Sequence, residues 1–140
     1  VPFEYLDHTA DVALRGIGAT PEEAFCEAAR GMWSLMVDLD AIRPEESVRV
    51  DRTAERLDLL LVEWLSALLA EKDVSGLFFS RFRVSIERQG GGHRLVGEAW
   101  GERLDPARHQ AKLEVKGITY SGLRVVREKD RWVAQCVVDV

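Results

Sequence analysis

Asp139 and Val140 close the sequence, so a carboxylate side chain and a main-chain carboxylate stand together at the end of a run that alternates like a β-strand. If the fold pairs that strand with the one carrying Asp11, three carboxylates converge. Anions clustered in a medium less polarisable than water repel one another strongly, and a hard cation with oxygen ligands is the usual remedy. Asp11, Asp139 and Val140 are therefore candidate ligands for a divalent cation, and oxygen donors admit calcium, magnesium or manganese alike. Taken singly, Asp7 and Asp11 read as turn or strand-edge residues.

A second polar constellation lies in His109-Gln110-Ala111-Lys112-Leu113-Glu114-Val115-Lys116. Alternation on a strand over Ala111 to Lys116 would place Lys112, Glu114 and Lys116 on one face and Leu113 and Val115 on the other. That pattern suits either a solvated sheet face or a site holding a lysine near carboxylates. The three histidines, His8, His93 and His109, lack the helical spacing that sets two imidazoles side by side for a metal. The Gly90-Gly91-Gly92 run is followed by a strand-like segment from Arg94, with no helix and no Lys-Ser or Lys-Thr pair, so it reads as a hairpin turn rather than a phosphate loop. Cys26 and Cys136 stand far apart without paired-cysteine spacing and read as reduced, buried thiols.

The elements that must position these residues are well marked. Two short strand-like runs span Phe3 to Ile17 around Asp7-His8-Thr9-Ala10-Asp11, the second alternating Val12, Leu14, Gly16 against Ala13, Arg15, Ile17. Thr20-Pro21-Glu22-Glu23 supplies a capping hydroxyl, a proline at the first helical position and a glutamate at the third. It predicts a helix to about Val37 with Phe25, Ala28, Ala29, Met32, Trp33 and Met36 as its buried stripe. A strand around Ser47 to Asp51 precedes a second helix with Leu57, Leu60, Leu61, Trp64, Leu65 and Leu68 on one face. Strands over Leu77 to Arg88, Arg94 to Leu104, Ala111 to Lys116, Ile118 to Arg127 and Arg131 to Val138 complete the pattern. It describes one α+β domain over residues 1–140, two layers deep, with an antiparallel or mixed β-sheet and two amphipathic helices packed on one face.

Composition bounds the function. A chain of 140 residues can bury roughly two-thirds of its unfolded surface around one core without disulfide or structural metal. With 19 basic and 24 acidic residues the net charge is −5, which argues against a protein that coats nucleic acid unaided. The arginines of the long hairpin, Arg81, Arg83, Arg88 and Arg94, read as a solvated charged face. No segment has the apolar length to span a bilayer, and Val1-Pro2-Phe3-Glu4-Tyr5 has neither the basic nor the apolar region of a signal peptide, so the cytoplasm is the expected compartment.

In combination, several separated motifs carry a resemblance that none carries alone. Asp7-His8-Thr9-Ala10-Asp11, Thr20-Pro21-Glu22-Glu23-Ala24-Phe25, His109 with Lys112, Glu114, Lys116, Thr119 and Tyr120, and Trp132-Ala134-Val138-Asp139 resemble the archease family, in order and over essentially the whole chain. The resemblance implies a non-catalytic activator of the GTP- and manganese-dependent RtcB-type tRNA-splicing RNA ligase. That enzyme joins a 2′,3′-cyclic phosphate or 3′-phosphate end to a 5′-hydroxyl in tRNA splicing and RNA repair. An archease speeds guanylylation of the ligase and allows multiple turnover, and meets RNA only through it.

Carried over position by position, the resemblance implies a divalent-metal site at Asp11, Asp139 and Val140, with calcium the ion expected in structures. It also implies an activating lysine at Lys116, within a ligase-activation surface of Asp11, His109, Lys112, Glu114, Lys116 and Asp139. Many members have a histidine where this chain has Ser121, so no role of that histidine transfers, and others have alanine at Gly117. A chaperone-like or specificity-modifying partner of a tRNA methyltransferase is the alternative, to be favoured by an exposed apolar patch. A free-standing metal-dependent hydrolase ranks last, because the sequence offers no nucleophile with a paired base.

Overall fold

The computed structural model describes residues 11–140. The strand-like run from Phe3, and with it Asp7 and His8, lies outside the described residues. Strand β1 (Asp11–Gly18) leads into helix α1 (Pro21–Met36), a short 3-10 turn (Leu39–Ala41), strand β2 (Glu46–Ala54) and helix α2 (Leu57–Ser75). Strands β3 (Leu77–Gln89), β4 (Gly92–Arg103), β5 (Gly117–Glu128) and β6 (Arg131–Asp139) follow. The described strands form two antiparallel three-stranded sheets, ordered β1-β6-β5 and β2-β4-β3. The α+β class is as expected, with the β layer divided in two and each helix touching strands of both sheets.

Helix α1 begins where its capping chemistry requires. The Thr20 hydroxyl accepts the Glu23 amide at 3.1 Å, satisfying a donor that a helix start leaves orphaned, and the Glu23 carboxylate accepts the Ala19 amide just before the cap at 2.8 Å. All six predicted stripe residues are buried. The helix lies so close to β1 that a Cβ on Gly16 would sit 2.2 Å from the Ala24 carbonyl oxygen, so only glycine fits there. Helix α2 ends at Gly76, whose φ of 76° supplies the left-handed cap. Its buried set extends beyond the predicted stripe to Val62, Ala67 and Leu69, because it packs against both sheets rather than one surface. The Trp64 indole donates to the Phe25 carbonyl at 3.2 Å and ties the two helices together within one core.

One predicted strand does not form. Residues 104–116 run from β4 to β5 without regular secondary structure, although Ala111 to Lys116 alternates like a strand. The reason is where its donors go. The Lys112 amide donates to the Met36 carbonyl at 2.8 Å and the Leu113 amide to Leu35 at 3.0 Å, so the segment caps carbonyls that the end of α1 would otherwise leave unpaired. Residues 111 to 114 are all exposed and Val115 alone is buried, so the two faces expected of a strand are absent. The Gly90 turn, with φ 61°, closes the β3–β4 hairpin as read from the sequence.

Candidate functional site

Sheet order decides what Asp11 and Asp139 can do together. With β6 in the middle of β1-β6-β5, Asp139 stands directly opposite Asp11 on one side and Gly117 on the other. The Lys116 amide donates to the Asp139 carbonyl at 2.7 Å, so the connection from β4 arrives at the same end of the sheet. Directly opposed residues on neighbouring antiparallel strands have Cβ atoms about 5 Å apart, and like charges so placed destabilise the pair. Asp11 is exposed and Asp139 half-buried, and among the described residues neither carboxylate is ion-paired with a basic side chain. The Gly117 position leaves the flank of Asp139 open, since a Cβ there would meet nothing within 4 Å, and an alanine at this position is sterically neutral.

Two facing carboxylates with no counter-charge among the described residues form a donor set that suits a hard divalent cation. Among the described residues no group of three or more His, Cys, Asp or Glu side chains is placed to hold a metal. Val140, the other expected ligand, follows Asp139 directly and packs its side chain against the core. Lys116 is exposed immediately before β5, next to this pair in the fold though 23 residues from Asp139 in sequence.

The remaining residues expected on the same surface separate. Lys112 and Glu114 are exposed on the irregular connection. His109, by contrast, is buried at 5% exposure and is not a surface residue. Its Nδ1 accepts the Asp105 amide at 2.8 Å, which puts the ring proton on Nε2, 3.1 Å from the Ala41 carbonyl and 3.2 Å from Glu102 Oε2. Glu102 is itself buried, accepts the Arg43 amide at 2.5 Å and pairs with the Arg108 guanidinium. Burial alone would raise the Glu102 carboxyl, but the Arg43 amide and the Arg108 guanidinium outweigh it and hold the carboxyl below the ordinary glutamate range. Nothing in the sequence marks Glu102 as internal, because it follows buried Gly101 and breaks the alternation of β4. Beside this node a cleft of about 210 Å³ is lined by Asp38, Ala41, Arg108, His109 and Lys112 among others.

Two of the four hairpin arginines are paired with carboxylates. Arg94 forms a two-pronged pair with Asp51 at 3.0 and 2.6 Å, and Arg83 bonds Glu98 at 2.5 Å. Arg81 lies over the Trp100 ring at 5.2 Å. This is the solvated charged face that the composition suggested. Both cysteines are free, Cys26 half-buried and Cys136 buried, and burial pushes each thiol up to about 11.

A small α+β protein with a carboxylate pair at one sheet end, and no helix among the described residues long and apolar enough to cross a membrane, is the class that fold and site define. Comparison with known proteins makes it specific. The model of the archease protein family matches residues 3–140. The protein archease of Methanopyrus kandleri is 41% identical over 140 residues, covering all of both chains, and that of Thermococcus gammatolerans is 43% identical over 139 residues, covering 99% and 98%. The solution structure of Methanobacterium thermoautotrophicum protein 1598 superposes with a TM-score of 0.84 at 32% identity, covering 96% of each chain. The crystal structure of an archease from Thermotoga maritima, described as a possible chaperone, shares the fold with a TM-score of 0.63 at 21% identity over 99% and 97% of the two chains. The chain belongs to the archease family.

Proposed function

We propose that this protein is a non-catalytic activator of a GTP- and manganese-dependent tRNA-splicing RNA ligase, promoting its guanylylation and multiple turnover. The observation that supports the reading is the register that sets Asp11 opposite Asp139 while the Lys116 amide bonds the Asp139 carbonyl. Three segments distant in sequence thus offer two carboxylates and a lysine at one sheet end, in a chain of the archease family. Asp11 and Asp139, with Val140, would hold a divalent cation, with calcium, magnesium or manganese as the candidates. Such an ion would cancel the repulsion between the carboxylates and offer a positive centre to phosphate oxygens.

The chain's own residues act in this reading by position and charge. Asp11 and Asp139 are held by paired strands, and Lys116 is fixed at its amide, so little ordering remains when the surface meets the ligase's nucleotide site. The exposed Lys116 side chain is the group left to reach phosphate. RNA is met through the ligase, in keeping with the net charge of −5.

Single- and multiple-turnover sealing of RNA by the cognate ligase, with GTP and manganese, tests the proposal. The wild-type protein is expected to stimulate both guanylylation and turnover, and Asp139→Asn and Lys116→Ala to lose that stimulation. Full stimulation by Asp139→Asn would remove the carboxylate site from the mechanism. The description of the Thermotoga maritima relative as a possible chaperone favours a second reading, a chaperone-like or specificity-modifying partner of a tRNA methyltransferase. Suppression of such a client's aggregation that persists in Asp139→Asn, with no stimulation of the ligase, would establish that reading instead.

A further inference from the structure

The β2-β4-β3 sheet has one covered face and one open one. Val50, Val84, Leu95 and Ala99 are buried and join the core with both helices. Alternation turns their neighbours to the other side. There the register sets Ser47, Trp100 and Arg81 in one cross-strand row and Arg49, Glu98 and Arg83 in the next. Side-chain contacts agree with that placement, since Arg83 bonds Glu98 and both Arg81 and Arg83 lie over the Trp100 ring, at 5.2 and 5.8 Å. Arg49, Arg81 and Arg83 are exposed, and Trp100 is half-buried.

Charge is distributed unevenly between this sheet and the rest of the chain. Strands β2, β3 and β4 carry seven arginines and five carboxylates, in a chain whose net charge is −5. One of those carboxylates, Glu102, is buried and paired with Arg108. On the open face the arginines compete for the carboxylates that remain. Asp51 takes the two-pronged Arg94 pair and also lies 3.5 Å from Arg49, while Glu98 bonds Arg83. Arg81 has the Trp100 ring and no carboxylate partner among the described residues. An aromatic ring on an open sheet, flanked by exposed guanidinium groups, suits a flexible polyanion with flat faces: a base stacks on the ring and the arginines meet phosphates. An acidic peptide would answer the charge but leave the ring without a flat partner.

We propose that the open face of the β2-β4-β3 sheet is a contact site for single-stranded RNA, with Trp100 stacking on one base and Arg49, Arg81 and Arg83 meeting phosphates. A duplex hides the faces of its bases, so the occupant is a single strand. The inference goes beyond the activator reading, in which RNA is held by the ligase: here the protein also touches the strand. The contact is weak and salt-sensitive, because a few phosphate contacts carry it and the acidic remainder of the chain opposes it.

Fluorescence anisotropy of a labelled single-stranded RNA of about twelve nucleotides, titrated with this protein in the absence of ligase, tests the site. Saturable binding is expected at about 50 mM salt and its loss by about 200 mM. Arg81→Ala and Trp100→Leu are each expected to raise Kd about tenfold, with the melting temperature of Arg81→Ala and its divalent-cation binding unchanged. Polyglutamate of the same length should not displace the RNA. No saturable binding by the wild-type protein at low salt, or wild-type Kd in both variants, would overturn the proposal. Displacement by polyglutamate as effective as that by unlabelled RNA would also overturn it, by making the face a site for acidic protein segments. Failure to stimulate the ligase in sealing assays would fell the activator reading and leave this site standing, since the ligase takes no part in the titration.

Discussion

At the scale of single residues, the instructive contrast is between Asp139 and Glu102. Both are carboxylates on strands of a sheet, yet Asp139 faces another carboxylate and Glu102 faces donors. A glutamate held below its ordinary value stabilises the fold above that value, and the contribution is lost as pH falls through the depressed one. Glu102→Gln is therefore expected to be less stable than wild type at pH 7, and the gap should close as pH falls below about 4.5, the ordinary value for this group. Urea unfolding at a series of pH values checks it. A gap that is independent of pH would mean that the loss is one of packing alone. At the carboxylate pair the expectation differs in kind. Asp139→Asn should leave or raise stability, because it relieves repulsion between opposed charges, while divalent-cation binding measured by calorimetry falls.

At the scale of elements, α1 connects local sequence to the site. Its start is local chemistry, and Thr20→Ala is expected to destabilise by about 1 kcal/mol in denaturant unfolding, the typical value of a lost capping hydroxyl. Its end has a second role. The carbonyls of Leu35 and Met36 hold the connection that delivers Lys116 to Asp139. The sequence pattern of Ala111 to Lys116 favours a strand, and the structure overrides it because helix-end carbonyls need donors and these amides lie nearest. The Glu102–His109 node fixes the other end of the same connection, so His109 serves the lysine surface from inside the protein.

At the scale of the whole molecule, the close approach of α1 to β1 couples core and site. Gly16 is where the helix touches the strand that carries Asp11 five residues earlier. Gly16→Ala would place a methyl group 2.2 Å from the Ala24 carbonyl oxygen, and backbone must shift. Overpacking of this kind costs roughly 1–3 kcal/mol. Under the proposed cation-binding role of Asp11 and Asp139, the expected result is a lowered melting temperature together with weakened cation binding. Unchanged cation affinity in a destabilised Gly16→Ala protein would show that β1 and the carboxylate pair are mechanically independent.

Much of this architecture could be read along the chain, because capping, helical periodicity and turn glycines are interactions between near neighbours. Thr20 with Glu23, the stripe from Phe25 to Met36, and the Gly90 turn are all local in this sense. The convergence of Asp11 with Asp139 was readable only as a conditional, since it depends on which strands pair. The division of the strands into two sheets and the burial of His109 by Glu102 were not readable at all. Each is a contact between groups brought together by the packing of the whole chain, and such contacts leave no period or spacing in the residues that make them.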